Sequence, residues 1–227
     1  MIENIDIALL EFLNGSASSF LDALMLTLTS GYTWIPLYVA LLYLVINNSE
    51  TMSHIILVVG CVLLCVVLSG GICDYIVKPL VGRIRPINDY ALRDVVVSAC
   101  YSKPKDFSFF SSHAANTVSI AIFFSLLVRD MKLFIALLLW SFTNCYTRLY
   151  LGVHYPTDIL AGLVWGIFVG SFMYFVYTRL YSKISNFGCF GSTQYTSKGY
   201  TIVTIDLVIM ILVSIYIVAI LRAIIWA

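Results

Sequence analysis

Residues 54–77 read HIILVVGCVLLCVVLSGGICDYIV, a run whose one acidic residue, Asp74, lies near its end and which holds no Lys or Arg. A spanning helix needs roughly 20 apolar residues, and this run supplies them. A soluble protein would have to enclose such a segment on every side. The rest of the chain cannot do so, because 61% of its 227 residues are hydrophobic and only 11% are charged, with a mean hydropathy of +0.96. Working outward, further apolar stretches lie at 28–46, 113–128, 133–146, 156–177 and 201–225. The pattern predicts an all-α polytopic membrane helix bundle with about six transmembrane helices. No repeat, low-complexity tract or change of composition divides it, so residues 1–227 are read as one unit.

Ahead of the bundle, Glu3, Asp6 and Glu11 precede Gly15 without a basic residue, which does not fit the positive start of a secretory signal. Ile2, Ile5, Leu9 and Phe12 recur at helical spacing and predict a short N-terminal helix lying in the membrane interface. The cysteines at 61, 65, 73, 100, 145 and 189 form no C-x-x-C pair and are expected to be small buried hydrophobes. A net charge of +1 argues against a nucleic-acid partner.

With six helices, segments 78–112 and 147–155 emerge on one side together with both termini. Segments 47–53, 129–132 and 179–200 emerge on the other. The second set carries Arg129, Lys132, Arg179, Lys183 and Lys198, which places it in the cytoplasm by the positive-inside rule. The first set would then put Lys78, Arg83, Arg85, Arg93, Lys103, Lys105 and Arg148 outside. That excess contradicts the rule unless several of these cations are kept for chemistry.

Three clusters on that side suggest what the chemistry is. Residues 78–86 read KPLVGRIRP. If the helix continues past its apolar end, Lys78 and Arg85 share a face and can clamp a phosphate, the lysine as a point charge and the arginine through its fork. Residues 110–113 read FSSH, where hydroxyls and free N–H groups at a helix start make an anion site and His113 can donate a proton. Residues 147–158 read TRLYLGVHYPTD. Pro156 suits the first helical position, which sets Asp158 in the first turn and His154 just before it, in reach of the carboxylate. Each cluster also has a plain structural reading: snorkelling cations, an N-cap serine, an acid at a helix dipole.

The order Lys…Arg-Pro, Ser-x-His, Arg-x5-His-x3-Asp closely resembles the signature of the phosphatidic acid phosphatase type 2 superfamily, which also includes vanadium haloperoxidases. The motifs run from Lys78 to Asp158. The resemblance implies that Lys78, Arg85 and Arg148 hold the phosphoryl oxygens, helped by Ser111 and Ser112. It implies that His154 attacks phosphorus and becomes a phosphohistidine, that Asp158 orients it, and that His113 protonates the departing oxygen. Three positions depart from the usual pattern: Phe110 stands where Pro is common, Ser112 where Gly is, and Thr147 where Ser precedes the third-motif Arg, a change that keeps a hydroxyl. Asp74, one turn before Lys78, is expected to pair with it, and Arg83 to be an auxiliary phosphate contact. Arg93, Lys103 and Lys105 are read as a rim for a polyanionic headgroup.

The function expected is therefore a membrane lipid phosphatase acting on a phosphate monoester or diphosphate in a bacterial envelope, such as undecaprenyl diphosphate, phosphatidylglycerophosphate or a lipid A phosphate. The protein is placed in the inner membrane with its site facing the periplasm. No cofactor, metal or protein partner is implied beyond the lipid and the bilayer, since no His, Cys, Asp or Glu cluster has metal-ligand spacing. A transporter for anions or lipid headgroups is the competing class. It is disfavoured because ionisable residues within the apolar stretches, such as Asp206 and Arg222, sit near the ends rather than at depth, and no inverted repeat is visible.

Overall fold

A computed structural model describes residues 2–15, 18–92, 96, 107–182 and 194–226. The α-helices are α1 (Ile2–Leu13), α2 (Ser19–Thr29), α3 (Ile35–Asn47), α4 (Met52–Val66), α5 (Lys78–Val81), α6 (Ser112–Val128), α7 (Met131–Tyr150), α8 (Pro156–Tyr181) and α9 (Ile202–Trp226), with no β-strand among the described residues. Helix starts carry the side chains that satisfy orphan N–H groups. Thr51 accepts from the His54 N–H and Asp130 from Leu133 N–H, and Ser111 caps α6 through Ala114 N–H. Pro156 takes the first position of α8, as the sequence predicts.

Among the described residues, three helical stretches are long and apolar enough to cross a membrane: Met52–Val81, Pro156–Tyr181 and Ile202–Trp226. The first is α4 running through two π-helical segments, Val67–Gly71 and Cys73–Val77, into α5. A fourth span arises if Ser19–Thr29 and Gly31–Asn47 count as one helix bent by 65°. The expected count of six full spans is thus not reproduced by length and composition. α6 is apolar but has only 17 residues, and polar side chains from Ser141 to Arg148 lower the hydropathy of α7.

The first apolar stretch, expected as one helix over 28–46, is broken at Ser30. There a 3₁₀ turn, Gly31–Trp34, reorients the chain, fixed by the Trp34 indole donating to the Leu28 carbonyl at 2.9 Å. α7 runs past the expected end at 146 and carries Arg148 in its last turn. The first motif also departs from expectation. The helix stops at Val81, and Gly82 at φ +64° turns the chain, so Lys78 and Arg85 do not share a helical face. Arg85 is delivered by extended backbone ahead of Pro86.

The core lies between α3, α4, α6, α7, α8 and α9, with Trp34, Phe123 and Trp140 fully buried. Large apolar side chains such as Val164, Phe168 and Val203 are exposed, as expected of a surface solvated by lipid. α8 approaches α6 closely along Gly162, Gly166 and Gly170, where small residues let two backbones meet. A Cβ at Gly162 would stand 2.7 Å from the Ser111 carbonyl oxygen, and one at Gly166 2.5 Å from that of Ala115.

Polar contacts collect the chain reversals at two ends. At one end Asn48 accepts from Thr201 N–H at 2.7 Å, Lys132 meets Asp206 at 3.6 Å and His54 meets the Tyr177 hydroxyl at 2.9 Å. At the other end lie α1, residues 82–92 and 107–111, and the turn from Tyr150 to Pro156. The N-terminal helix forms as expected, but its apolar stripe is not what faces the protein. Ile5, Leu9 and Phe12 are exposed, whereas Asp6 and Leu10 are buried.

Candidate active site

The third motif is built by two helix ends. After α7, the N–H groups of Leu151 and Val153 fold back onto the carbonyls of Thr147 and Arg148, and Gly152 at φ +64° reverses the chain. His154 therefore hangs between the end of α7 and the start of α8, 1% exposed. Asp158, 0% exposed, closes the first turn of α8 by accepting the Tyr155 N–H on Oδ2 at 3.0 Å. His154 Nδ1 stands 3.5 Å from that same oxygen, near enough for electrostatic pairing but too long for a well-made hydrogen bond, and no other group among the described residues satisfies this nitrogen.

Arg85, also buried, donates from Nη1 to the Val153 carbonyl at 3.0 Å and reaches His154 Nε2 at 3.3 Å. That contact favours the tautomer with its proton on Nδ1 and a lone pair on Nε2. Burial pushes the His154 pKa down to about 4, with Arg148 and Arg85 adding to the effect and Asp158 opposing it. The imidazole is therefore neutral at physiological pH, the form that can attack.

The first and second motifs meet beside it. Lys78 is buried, with Nζ 2.6 Å from Asp74 Oδ1 and 3.5 Å from Ser112 Oγ. The expected Asp74–Lys78 pair is present, half in solvent on the carboxylate side. Ser111 is fixed by its own N–H to the Asp158 carbonyl at 3.1 Å, which ties the second motif to the third. His113 is exposed and lies in the field of Arg148, His154, Lys78 and Arg85. Arg148 is steadied by Thr29, whose hydroxyl accepts from Nη1 at 2.7 Å.

Arg83 does not take the auxiliary phosphate position expected for it. Its Nη1 donates to Asp158 Oδ1 and Thr157 Oγ1 at 2.7 and 2.8 Å, and Nη2 to Asp6 Oδ2 at 2.7 Å. Burial works against its charge, but Asp6 and Asp158 outweigh it and raise the pKa. Arg83 is thus a tie between carboxylates. Asp6 and Thr29 were not anticipated. The one signal for Asp6 is its spacing with Leu10 and Asn14, a second face that the apolar stripe overshadows. The expected rim residues Arg93, Lys103 and Lys105 lie outside the described residues.

A neutral buried histidine backed by a carboxylate, with Arg85 at its Nε2 and further cations nearby at one end of a membrane helix bundle, is an arrangement suited to phosphoryl transfer in an integral membrane enzyme. The family model for the PAP2 superfamily matches residues 58–182, and the chain belongs to that superfamily. The lipid A 4'-phosphatase of Bacteroides thetaiotaomicron is 38% identical, over 82% of this chain and 82% of its own length. The lipid A 4'-phosphatase of Porphyromonas gingivalis is 30% identical over 78% and 75% of the two chains. The undecaprenyl-diphosphatase BcrC of Bacillus subtilis is 25% identical over 72% and 78%. Among solved structures, a transmembrane PAP2-type phosphatidylglycerolphosphate phosphatase from Bacillus subtilis shares the fold, with a TM-score of 0.57 at 20% identity, over 82% of this chain and 89% of that one. The protein is a membrane lipid phosphatase, a hydrolase of phosphoric esters.

Proposed function

We propose that this enzyme removes a phosphate monoester from the sugar headgroup of lipid A, at the 4' position, through a phosphohistidine on His154. The observation that carries the mechanism is Arg85 held against Nε2 of a buried, neutral His154 whose other nitrogen faces Asp158. The substrate assignment is supported by the two lipid A 4'-phosphatases that align over three quarters or more of both chains.

In the reaction proposed, the phosphoryl oxygens lie among Lys78, Arg85, Arg148 and the start of α6, with Ser111 and Ser112. Phosphoryl transfer is mostly positioning and neutralisation of charge, which these groups supply. His154 Nε2 forms a bond to phosphorus as the bond from phosphorus to the lipid oxygen breaks. Desolvation and the nearby Arg148, Lys78 and Arg85 push a proton off His113, so in the reaction proposed the negative phosphoryl group offsets them, and the protonated His113 gives its proton to that oxygen. Asp158 stabilises the positive charge on His154. Neutral His113 then takes a proton from water, whose oxygen attacks phosphorus and breaks its bond to Nε2, releasing inorganic phosphate.

The site is placed on the periplasmic face of an inner membrane, supported by the basic residues Arg129, Lys132, Arg179 and Lys198 at the opposite end. The test is phosphate release by purified protein in detergent from lipid A, undecaprenyl diphosphate, phosphatidylglycerophosphate and phosphatidate. The highest kcat/KM on lipid A, with product lacking the 4'-phosphate, is expected. A higher value on any of the other three lipids would overturn the substrate assignment.

A further inference from the structure

We propose that Asp6 on α1 is a positioning residue for catalysis, holding Arg83 so that Asp158 keeps one carboxylate oxygen turned to His154. This rests on the roles given above to His154 and Asp158.

Asp6 is a carboxylate in an interfacial helix, yet it is 2% exposed. A buried charge is costly unless it is paired and hydrogen-bonded, and both of its oxygens are used. Oδ1 accepts the Thr157 N–H at 2.9 Å, one of the orphan donors at the start of α8. Oδ2 accepts the Thr157 hydroxyl at 2.5 Å and Arg83 Nη2 at 2.7 Å. Arg83 thus places one prong on Asp6 and the other on Asp158 Oδ1, with its guanidinium 3.8 Å from the centroid of the Tyr155 ring.

This division of the fork has a consequence for the site. A guanidinium beside one carboxylate prefers to take both oxygens in parallel. Asp6 occupies the second prong, so Arg83 grips Asp158 through Oδ1 alone. Oδ2 stays with the Tyr155 N–H and faces His154 Nδ1. Without the Asp6 charge, Arg83 is free to close on both Asp158 oxygens and draw Oδ2 from the histidine. α1 is seated for this task at both ends. Beyond Asp6, Leu10 packs with Leu92 and Tyr155, and the Asn14 amide donates to the Tyr150 carbonyl at 2.8 Å. The helix therefore braces the turn that carries His154, from Tyr150 to Thr157.

The experiment is steady-state kinetics in detergent on wild type, Asp6→Asn, Asp158→Asn and the double variant, with Leu44→Ala, in the core on α3, as a packing control. Asp6→Asn is expected to lower kcat by about tenfold to a hundredfold, the range for loss of a group that orients a reacting one. KM should stay within about twofold, because Asp6 touches none of the phosphate-holding residues. In the Asp158→Asn background the same change should cost less than about twofold, since its effect passes through Asp158. Leu44→Ala should lower the melting temperature without the kcat-specific loss. If Asp6→Asn does not accumulate, Asp6→Glu keeps the charge, displaces the carboxylate by one methylene, and should show the same loss and the same lack of additivity. A kcat within about twofold of wild type for the Asp6 variant, full additivity with Asp158→Asn, or an equal kcat loss in Leu44→Ala would overturn the positioning role. If Asp158→Asn itself leaves kcat intact, the assignment of Asp158 falls and this inference with it. That result is distinct from an Asp6 failure beside an impaired Asp158→Asn.

Discussion

Gly162→Ala tests whether the contact between α6 and α8 sets the distance between the second and third motifs. The added Cβ would stand 2.7 Å from the Ser111 carbonyl oxygen and 3.1 Å from Ala114 Cβ, and the first is about 0.7 Å short of ordinary contact. The obstruction is backbone, so no side-chain rotation relieves it and the helices must part. Overpacking of this kind costs about 1–3 kcal/mol. The displacement falls where Ser111 N–H meets the Asp158 carbonyl at 3.1 Å, beside the turn that carries His154. Since a misplacement of about 1 Å costs roughly a hundredfold, kcat should fall on the order of tenfold to a hundredfold. Gly170→Ala is the comparison: its Cβ would meet the Ser119 carbonyl at 2.5 Å, two helical turns farther from the site. Both variants should melt earlier in detergent, but only Gly162→Ala should lose turnover per folded molecule. Wild-type kcat in Gly162→Ala, or an equal loss in Gly170→Ala, would refute the reasoning.

The pH profile offers an independent check. An ordinary histidine titrates near 6.5, but His154 is pushed down to about 4, so the acid limb of kcat/KM should fall toward about 4 once substrate ionisation is measured separately. Between those values the unfolded chain binds the proton and the native one does not, so this group removes stability as pH falls from 6.5 to about 4. An enzyme-side break at 6.5 would contradict the burial argument. Activity is expected to survive EDTA and to be blocked by vanadate, which becomes five-coordinate on His154 and resembles the transition state; loss in EDTA with recovery on Mg²⁺ would contradict this. In a background lacking native cysteines, Tyr90→Cys should label with an impermeant reagent in intact cells and Tyr195→Cys should not, and the reverse pattern would invert the topology.

Which residues gather at the candidate site was more legible in the sequence than what supports them. Pro156 and Asp158 mark the start of α8, and Ser111 that of α6, because caps are local signals. The helical class followed from composition. Features set by tertiary packing were hidden. α7 reaches Tyr150 although Asn144, Thr147 and Arg148 break the apolar run, because Asn144 and Thr147 bond back to carbonyls of their own helix and Thr147 and Arg148 meet the Thr29 hydroxyl of α2. Gly82 is a helix-stop signal that an assumed continuous face for Lys78 and Arg85 overlooked. The glycine stripe of α8 has meaning only once α6 lies against it. Asp6 was hidden because the hydrophobic periodicity of α1 marks the face turned away from the protein.

The central claim is that His154 Nε2 is the nucleophile. Rapid acid-free quenching of the wild-type enzyme with lipid A labelled in its phosphate, followed by peptide mass spectrometry, tests it most directly. The expected result is an alkali-stable, acid-labile phosphate on the peptide containing His154, absent in His154→Ala, which should fold, insert and show no turnover. Phosphate trapped on another residue, or turnover by purified His154→Ala with contaminating phosphatase excluded, would contradict it.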